Sequence, residues 1–277
     1  PLPFYLYGAL WKLLGEPDIA FWFAPVSALM MAIGATGIGC TGIRLAGRGE
    51  HDTPVSLPIL VFAAIVPVML HDNWRVAPTA LSEPPFLMLL GVSTALATGI
   101  CIDRPVRPGR WILLAIVLFA WQMTRYEAIP IVFAMWTVAW LSGRSPALTR
   151  ARSAAYLVGG YLFLILFPIA WIIYNLQLRG DALEFIDVTR DHAIRFTLFS
   201  EKSPAVRLGL VTEWLYEQAP LVMWLALTGV LMRRREPAVG PTAIGAIGGL
   251  TTNVSMALNN MIGTTAPTRF TLLTVWF

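Results

Sequence analysis

The chain has 277 residues, 57% of them hydrophobic and 13% charged, with a net charge of +4 and a mean hydropathy of +0.67. A soluble globular chain carries about a quarter charged residues, so this composition sets aside soluble enzymes and nucleic-acid-binding domains and describes a single integral membrane domain over residues 1–277. The two cysteines, Cys40 and Cys101, fall within or at the end of apolar runs and indicate neither a disulfide framework nor a zinc site.

Apolar runs predict membrane helices in the order Ile19 to Leu45, Ser56 to Leu70, Pro84 to Ile102, Trp111 to Met123, Ala128 to Leu141, Ala154 to Tyr174, Leu221 to Met232 and Thr242 to Ile262, with a ninth beginning near Phe270. Several contain Pro or Gly, which membrane helices tolerate when neighbouring helices satisfy the freed backbone groups. "IGATGIGCTGIRLAG" in the first run has the small-residue spacing that lets helices pack closely. Pro1 in place of an initiating Met and an apolar run broken at Phe277 are expected of a chain cut at both ends. No signal-peptide pattern is visible.

The connections are of two kinds. "RLAGRGEHD", "DRPVRPGR", "SGRSPALTRAR" and "RRREP" together hold eleven basic and four acidic residues. The alternate ones, "LHDNWRVAPTALSE", "TRYE", 175–220 and "GTTAPTR", hold most of the acidic residues. Lys and Arg in short loops mark the cytoplasmic side, so the first set faces the cytoplasm, the second faces outward, and the spans alternate without conflict.

"MTRYEAIPIVF", Met123 to Phe133, interrupts about thirty apolar residues with Arg125 and Glu127. A single helix from Trp111 to Leu141 would be about 46 Å long against a hydrocarbon core of about 30 Å, and would carry its two arginine-rich flanks to opposite sides. Two short helices of about 13 residues, each about 20 Å long, fit the charges better. Such helices need shelter from others and line a depression, with Thr124, Arg125, Tyr126 and Glu127 as the turn at its floor. An ionisable side chain at that depth costs about 2.5 to 3.5 kcal/mol and marks a functional site by default. Mutual neutralisation of Arg125 and Glu127, or an arginine reaching toward headgroups, is the plainer reading.

Glu83 reads as the first turn of a helix capped by Ser82 and continued by Pro84, where the macrodipole favours an acid. His71, Asp72 and Arg75 share the preceding outward loop and read as solvated, with substrate binding as the alternative. The outward segment 175–220 mixes apolar positions with Asp181, Glu184, Asp187, Asp191 and His192, and predicts two amphipathic helices against the membrane surface. No metal-ligand spacing, phosphate-binding loop or dinucleotide turn occurs.

The chain resembles the GT-C superfamily of integral membrane glycosyltransferases, which includes protein O-mannosyltransferases and lipid A aminoarabinose transferases. Four elements in the same order carry the resemblance: "PLPFYLYGALWKLLGEPDIAFWFAPVSALM", "APTALSEPPFLMLL", "MTRYEAIPIVF" and "FPIAWIIYNLQLRGDALEFI". It implies an all-α polytopic bundle with short paired helices and outward amphipathic helices. It also implies transfer of a sugar from a polyprenyl-phosphate donor to a lipid, glycan or protein acceptor at the outer face of the cytoplasmic membrane.

In that chemistry a carboxylate takes the acceptor proton while cations or oriented donors stabilise the departing lipid phosphate. The resemblance makes Glu83 and Glu127 the candidate catalytic carboxylates. Thr124, Arg125 and Arg269 become candidate phosphate contacts, and His71, Asp72, Arg75 and Tyr126 candidate substrate contacts. Arginine suits phosphate because its planar fork matches the oxygens and keeps its charge. The family's principal aspartate lies upstream of the element that begins here at Pro1, so the resemblance implies that this stretch lacks it. Participation of a divalent metal stays open, as do the sugar and the acceptor. A transporter or flippase, with Arg125 and Glu127 lining a pathway, is the alternative, and a non-catalytic membrane subunit is a third.

Overall fold

A computed structural model describes residues 6–9, 12–13, 19–46, 83–102, 107–126, 128–143, 150–184, 186–188, 191, 203–209, 213 and 239–258. Every regular element among them is helical. The long helices are α1 (Ile19–Ala46), α2 (Glu83–Ile102), α3 (Pro108–Gln122), α4 (Ala128–Ser142), α5 (Arg150–Arg179) and α6 (Gly240–Leu258). Three stretches, Ala24–Leu45, Pro84–Ile102 and Ser153–Arg179, are long and apolar enough to cross a membrane. The predicted spans Ser56 to Leu70 and Leu221 to Met232, and the run from Phe270, lie outside the described residues.

The split between α3 and α4 matches the expectation of two short helices. Each has 15 residues, which is about 22 Å. Arg107 precedes α3 in extended conformation and Pro108 opens it, where its fixed φ suits a first turn and its missing N–H costs nothing. At the other end the amides of Met123 and Thr124 bond back to the carbonyls of Ala120 and Trp121, closing the helix tightly before the turn.

α2, α3 and α4 pack against one another around Leu90, Leu114, Leu118, Trp121, Met135 and Trp136, all essentially inaccessible. α1 lies along α2, α5 crosses the backs of α3 and α4, and α6 contacts α4 and α2. Between apolar helices in lipid the hydrophobic effect contributes little, and close van der Waals fit takes its place. The glycines of α1 supply that fit. Gly34 lies against the backbone of Leu87 and Met88, and Gly37 against that of Gly91 and Val92.

Those contacts rise together along both sequences, so α1 and α2 run parallel, as the predicted alternation of loops requires of these two runs. Contacts from Trp111 to Tyr156 and from Phe119 to Phe163 and Phe167 make α3 and α5 parallel. Phe86 meets Trp121, and the Trp140 Nε1–H donates to Ser153 O at 2.7 Å, so α2 opposes α3 and α4 opposes α5. Consequently Arg107 and Arg110 lie at one end of the bundle and the Arg125 turn faces the other.

α5 departs from its predicted limit. It continues five residues past Tyr174, because Asn175 satisfies its own amide on Trp171 O at 2.9 Å and leaves the helix uninterrupted. It stops at Gly180, whose φ of 76° favours glycine. Beyond it, Asp181 Oδ1 accepts a bond from the Leu183 amide at 2.9 Å, and Arg179 pairs with Glu184 at 3.5 Å on the exposed surface. Of the two amphipathic helices expected in 175–220, helical stretches appear at 186–188 and 204–209.

Candidate functional site

The candidate site is the turn between α3 and α4, built from Gln122 to Tyr126. Its backbone is held from both sides. Thr124 N bonds to Trp121 O at 3.0 Å, Ala128 N to Arg125 O at 3.2 Å, and Ile129 N to Tyr126 O at 3.1 Å. Arg125 and Tyr126 are half-buried, whereas Thr124 is buried.

Thr124 Oγ1 donates to Trp121 O at 2.6 Å, which places its proton inside the turn and leaves only its lone pairs outward. A hydroxyl bond from Thr124 to a phosphate oxygen would have to break that contact. Arg125 sets its guanidinium carbon 5.8 Å from the centroid of the Phe86 ring, a distance at which the ring quadrupole attracts a cation. Phe86 in turn packs on Trp121 at 5.5 Å.

Phe86 lies in the first turn of α2, three residues after Glu83, so the head of α2 and the Arg125 turn share one level of the bundle. Pro84 and Pro85 follow Glu83 and carry no N–H. The start of α2 therefore offers an anion its dipole without the usual backbone donors of a helix N-terminus. Arg125 is the donor-rich group at this level. The Glu83 side chain, and all of Glu127, His71, Asp72, Arg75 and Arg269, lie outside the described residues.

At the level of the turn lies a contact that sequence reading did not identify. Gln122, fully buried, donates from Nε2 to Leu164 O at 2.8 Å. Leu164 stands midway along the 30-residue α5, and Pro168 follows it by one helical turn. In an uninterrupted helix the amide at 168 would bond to that carbonyl. Proline has no amide hydrogen, and Gln122 supplies the donor from a neighbouring helix. The Pro168 signal is visible in the sequence; its partner, 42 positions away, is not.

Because Leu164 is half-way along α5, the helix runs about 22 Å further, to Arg179, beyond the level at which α3 ends. The apolar stretch Ser153–Arg179 has 27 residues, about 40 Å against a hydrocarbon core of about 30 Å. The turn is thus sunk well inside the length of its neighbour. Among the described residues, no three His, Cys, Asp or Glu side chains converge. No family model, curated protein or solved structure matches the chain.

Proposed function

We propose that the chain is a membrane glycosyltransferase of GT-C type, which transfers a sugar from a polyprenyl-phosphate donor to an acceptor hydroxyl at the outer face of the cytoplasmic membrane. The observation that carries this reading is the position of Arg125. Its turn sits beside the middle of α5 rather than at its end, at the level where α2 begins.

A guanidinium at that depth needs acceptors from the protein, from water or from an anion, since an uncompensated charge in hydrocarbon costs several kcal/mol. A lipid phosphate meets it naturally: the head group is anchored by an apolar tail and lies near the membrane surface. The half-buried guanidinium, backed by the Phe86 ring, would bind phosphate oxygens through its planar fork and stabilise the charge that develops as the C1–O bond breaks. The acceptor hydroxyl attacks C1 from the opposite face, inverting it, and a carboxylate takes its proton. Glu83, at the head of α2, and Glu127, between the turn and α4, are the acids that the chain order brings nearest to that place. The parallel and antiparallel directions of α1 to α5 support the alternation of spans, and the positive-inside rule applied to the arginine-rich loops is what would put Arg44, Arg107 and Arg110 toward the cytoplasm and the Arg125 turn outward.

The test is transfer from radiolabelled polyprenyl-phosphate sugars in membranes that contain the full-length protein. Arg125→Ala is expected to lower transfer by about 100-fold or more, the usual cost of removing a donor to developing charge, while the protein still inserts. Equal turnover in the variant would overturn the assignment.

A further inference from the structure

We infer that Gln122 is a positioning residue, and that the bond from its Nε2 to Leu164 O, made available by Pro168, fixes the depth of the Arg125 turn against α5. The effect on sugar transfer rests on the reading given above; the effect on the turn does not.

The geometry separates this role from simple repair of a helix. Pro168 leaves one carbonyl of α5 without its helical donor, and any buried donor, water included, would satisfy it. The donor used is Gln122, the last residue of α3, three positions before Arg125. Between them the chain has little freedom. Met123 and Thr124 bond back into α3, and the Thr124 hydroxyl bonds to Trp121 O. Arg125 and Tyr126 bond forward into α4 through their carbonyls. A displacement at Gln122 therefore passes to the guanidinium with little loss.

Contacts between α3 and α5 also include ring contacts, Trp111 on Tyr156 and Phe119 on Phe163 and Phe167. Rings can slide along a helix at small cost because dispersion has no fixed direction. A hydrogen bond of 2.8 Å to a single carbonyl cannot. Gln122 is also wholly buried, with its Oε1 unpartnered among the described residues. That arrangement is costly for a helix-repair device that a serine of α5 itself could replace.

The experiment compares Gln122→Leu with Gln122→Leu/Pro168→Ala in the full-length protein, in a background stripped of its native thiols, Cys40→Ala and Cys101→Ala among the changes, with Tyr126→Cys to report on the turn. Three quantities are read: the rate at which the introduced thiol reacts with a membrane-impermeant maleimide, the thermal stability of the solubilised protein, and, with Tyr126 restored, the KM and kcat for the sugar donor. In the double variant the alanine that replaces Pro168 supplies its own amide to Leu164 O, so stability returns to the parent value. The tether stays absent. Gln122→Leu and the double variant are both expected to change the labelling rate by about tenfold or more and to raise donor KM by a similar factor, with a smaller change in kcat, because small misplacements of a binding group carry large costs. Recovery of labelling and KM along with stability in the double variant would reduce Gln122 to helix repair and overturn the inference, as would an unchanged labelling rate in Gln122→Leu. A parent protein that transfers no sugar, with labelling still dependent on Gln122, would remove the proposed function and leave the tether standing.

Discussion

Arg125 rests its guanidinium on the ring of Phe86, 5.8 Å from the centroid, where the α3–α4 turn meets the first turn of α2. At that distance the ring quadrupole attracts the cation and favours this orientation of it. Phe86→Leu keeps most of the apolar volume and removes the quadrupole, worth about 0.5 to 2 kcal/mol. At about 1.4 kcal/mol per tenfold, donor KM should rise by roughly two- to thirtyfold. Steady-state kinetics with a labelled donor would show it, and a KM equal to the parent value would mean that the ring plays no part in orienting Arg125.

Arg125→Lys keeps the charge but loses the fork. A lysine makes point-like contacts where arginine makes paired ones. Transfer should fall to a level between those of the parent and Arg125→Ala, with the loss mainly in kcat if the fork acts on the departing phosphate. A lysine variant as active as the parent would show that charge alone suffices.

The seam between α1 and α2 makes a prediction about stability. A methyl group on Gly34 would fall 2.5 Å from the Leu87 carbonyl oxygen, and one on Gly91 would meet the backbone of Gly34. Neither obstacle is a flexible side chain, so the helices would have to separate. Gly34→Ala and Gly91→Ala should each destabilise the solubilised protein by about 1–3 kcal/mol. Gly42→Ala, with nothing within 4 Å of the added atom, should leave the melting temperature unchanged or slightly higher. Equal melting temperatures for all three variants would place the seam elsewhere.

Much of this architecture was legible because membrane helices are constrained by length and by where arginine is allowed. The division into α3 and α4 followed from the signs of the loops around Trp111 to Leu141 and from the thickness of a bilayer. The end of α5 was misplaced because Asn175 looks like a loop residue, yet it satisfies itself on Trp171 and turns no chain. The glycine spacing of α1 announced close packing but did not name α2, since glycine carries no side chain to specify a partner. At the site, the unusual residues were visible, while what holds them was not: Phe86 beneath Arg125 and Leu164 bound to Gln122 are long-range pairs that depend on the helices' register. The roles of Glu83 and Glu127 still rest on chain order and resemblance.

The direction of the bundle is testable without any substrate. Arg107 precedes α3 and Asp181 follows α5; both are exposed, and because α3 and α5 are parallel they lie at opposite ends. In the cysteine-free background, Asp181→Cys should react with an impermeant maleimide added outside intact cells, and Arg107→Cys should react only after the membrane is opened. The arginine-rich loops predict this orientation. The reverse pattern would turn the Arg125 site toward the cytoplasm and remove the proposed reaction from the outer face.

Two adjacent glycines of α5 test the packing of its N-terminal half. Trp136 of α4 is almost wholly buried, and its indole lies over Gly160 so closely that a methyl group there would overlap ring atoms Cε2, Cζ2 and Nε1. The ring has little room to move. Its edge meets Trp111 at 5.4 Å, and its Nε1–H donates to Leu157 O at 3.3 Å. Gly159 is exposed, with nothing within 4 Å of an added methyl group. Gly160→Ala should therefore cost about 1–3 kcal/mol by forcing α4 and α5 apart, whereas Gly159→Ala should cost nothing measurable. Because alanine affects the backbone entropy of both positions alike, the difference between the two melting temperatures isolates the ring contact. Two variants that melt together would mean that Trp136 does not pack against α5 at Gly160.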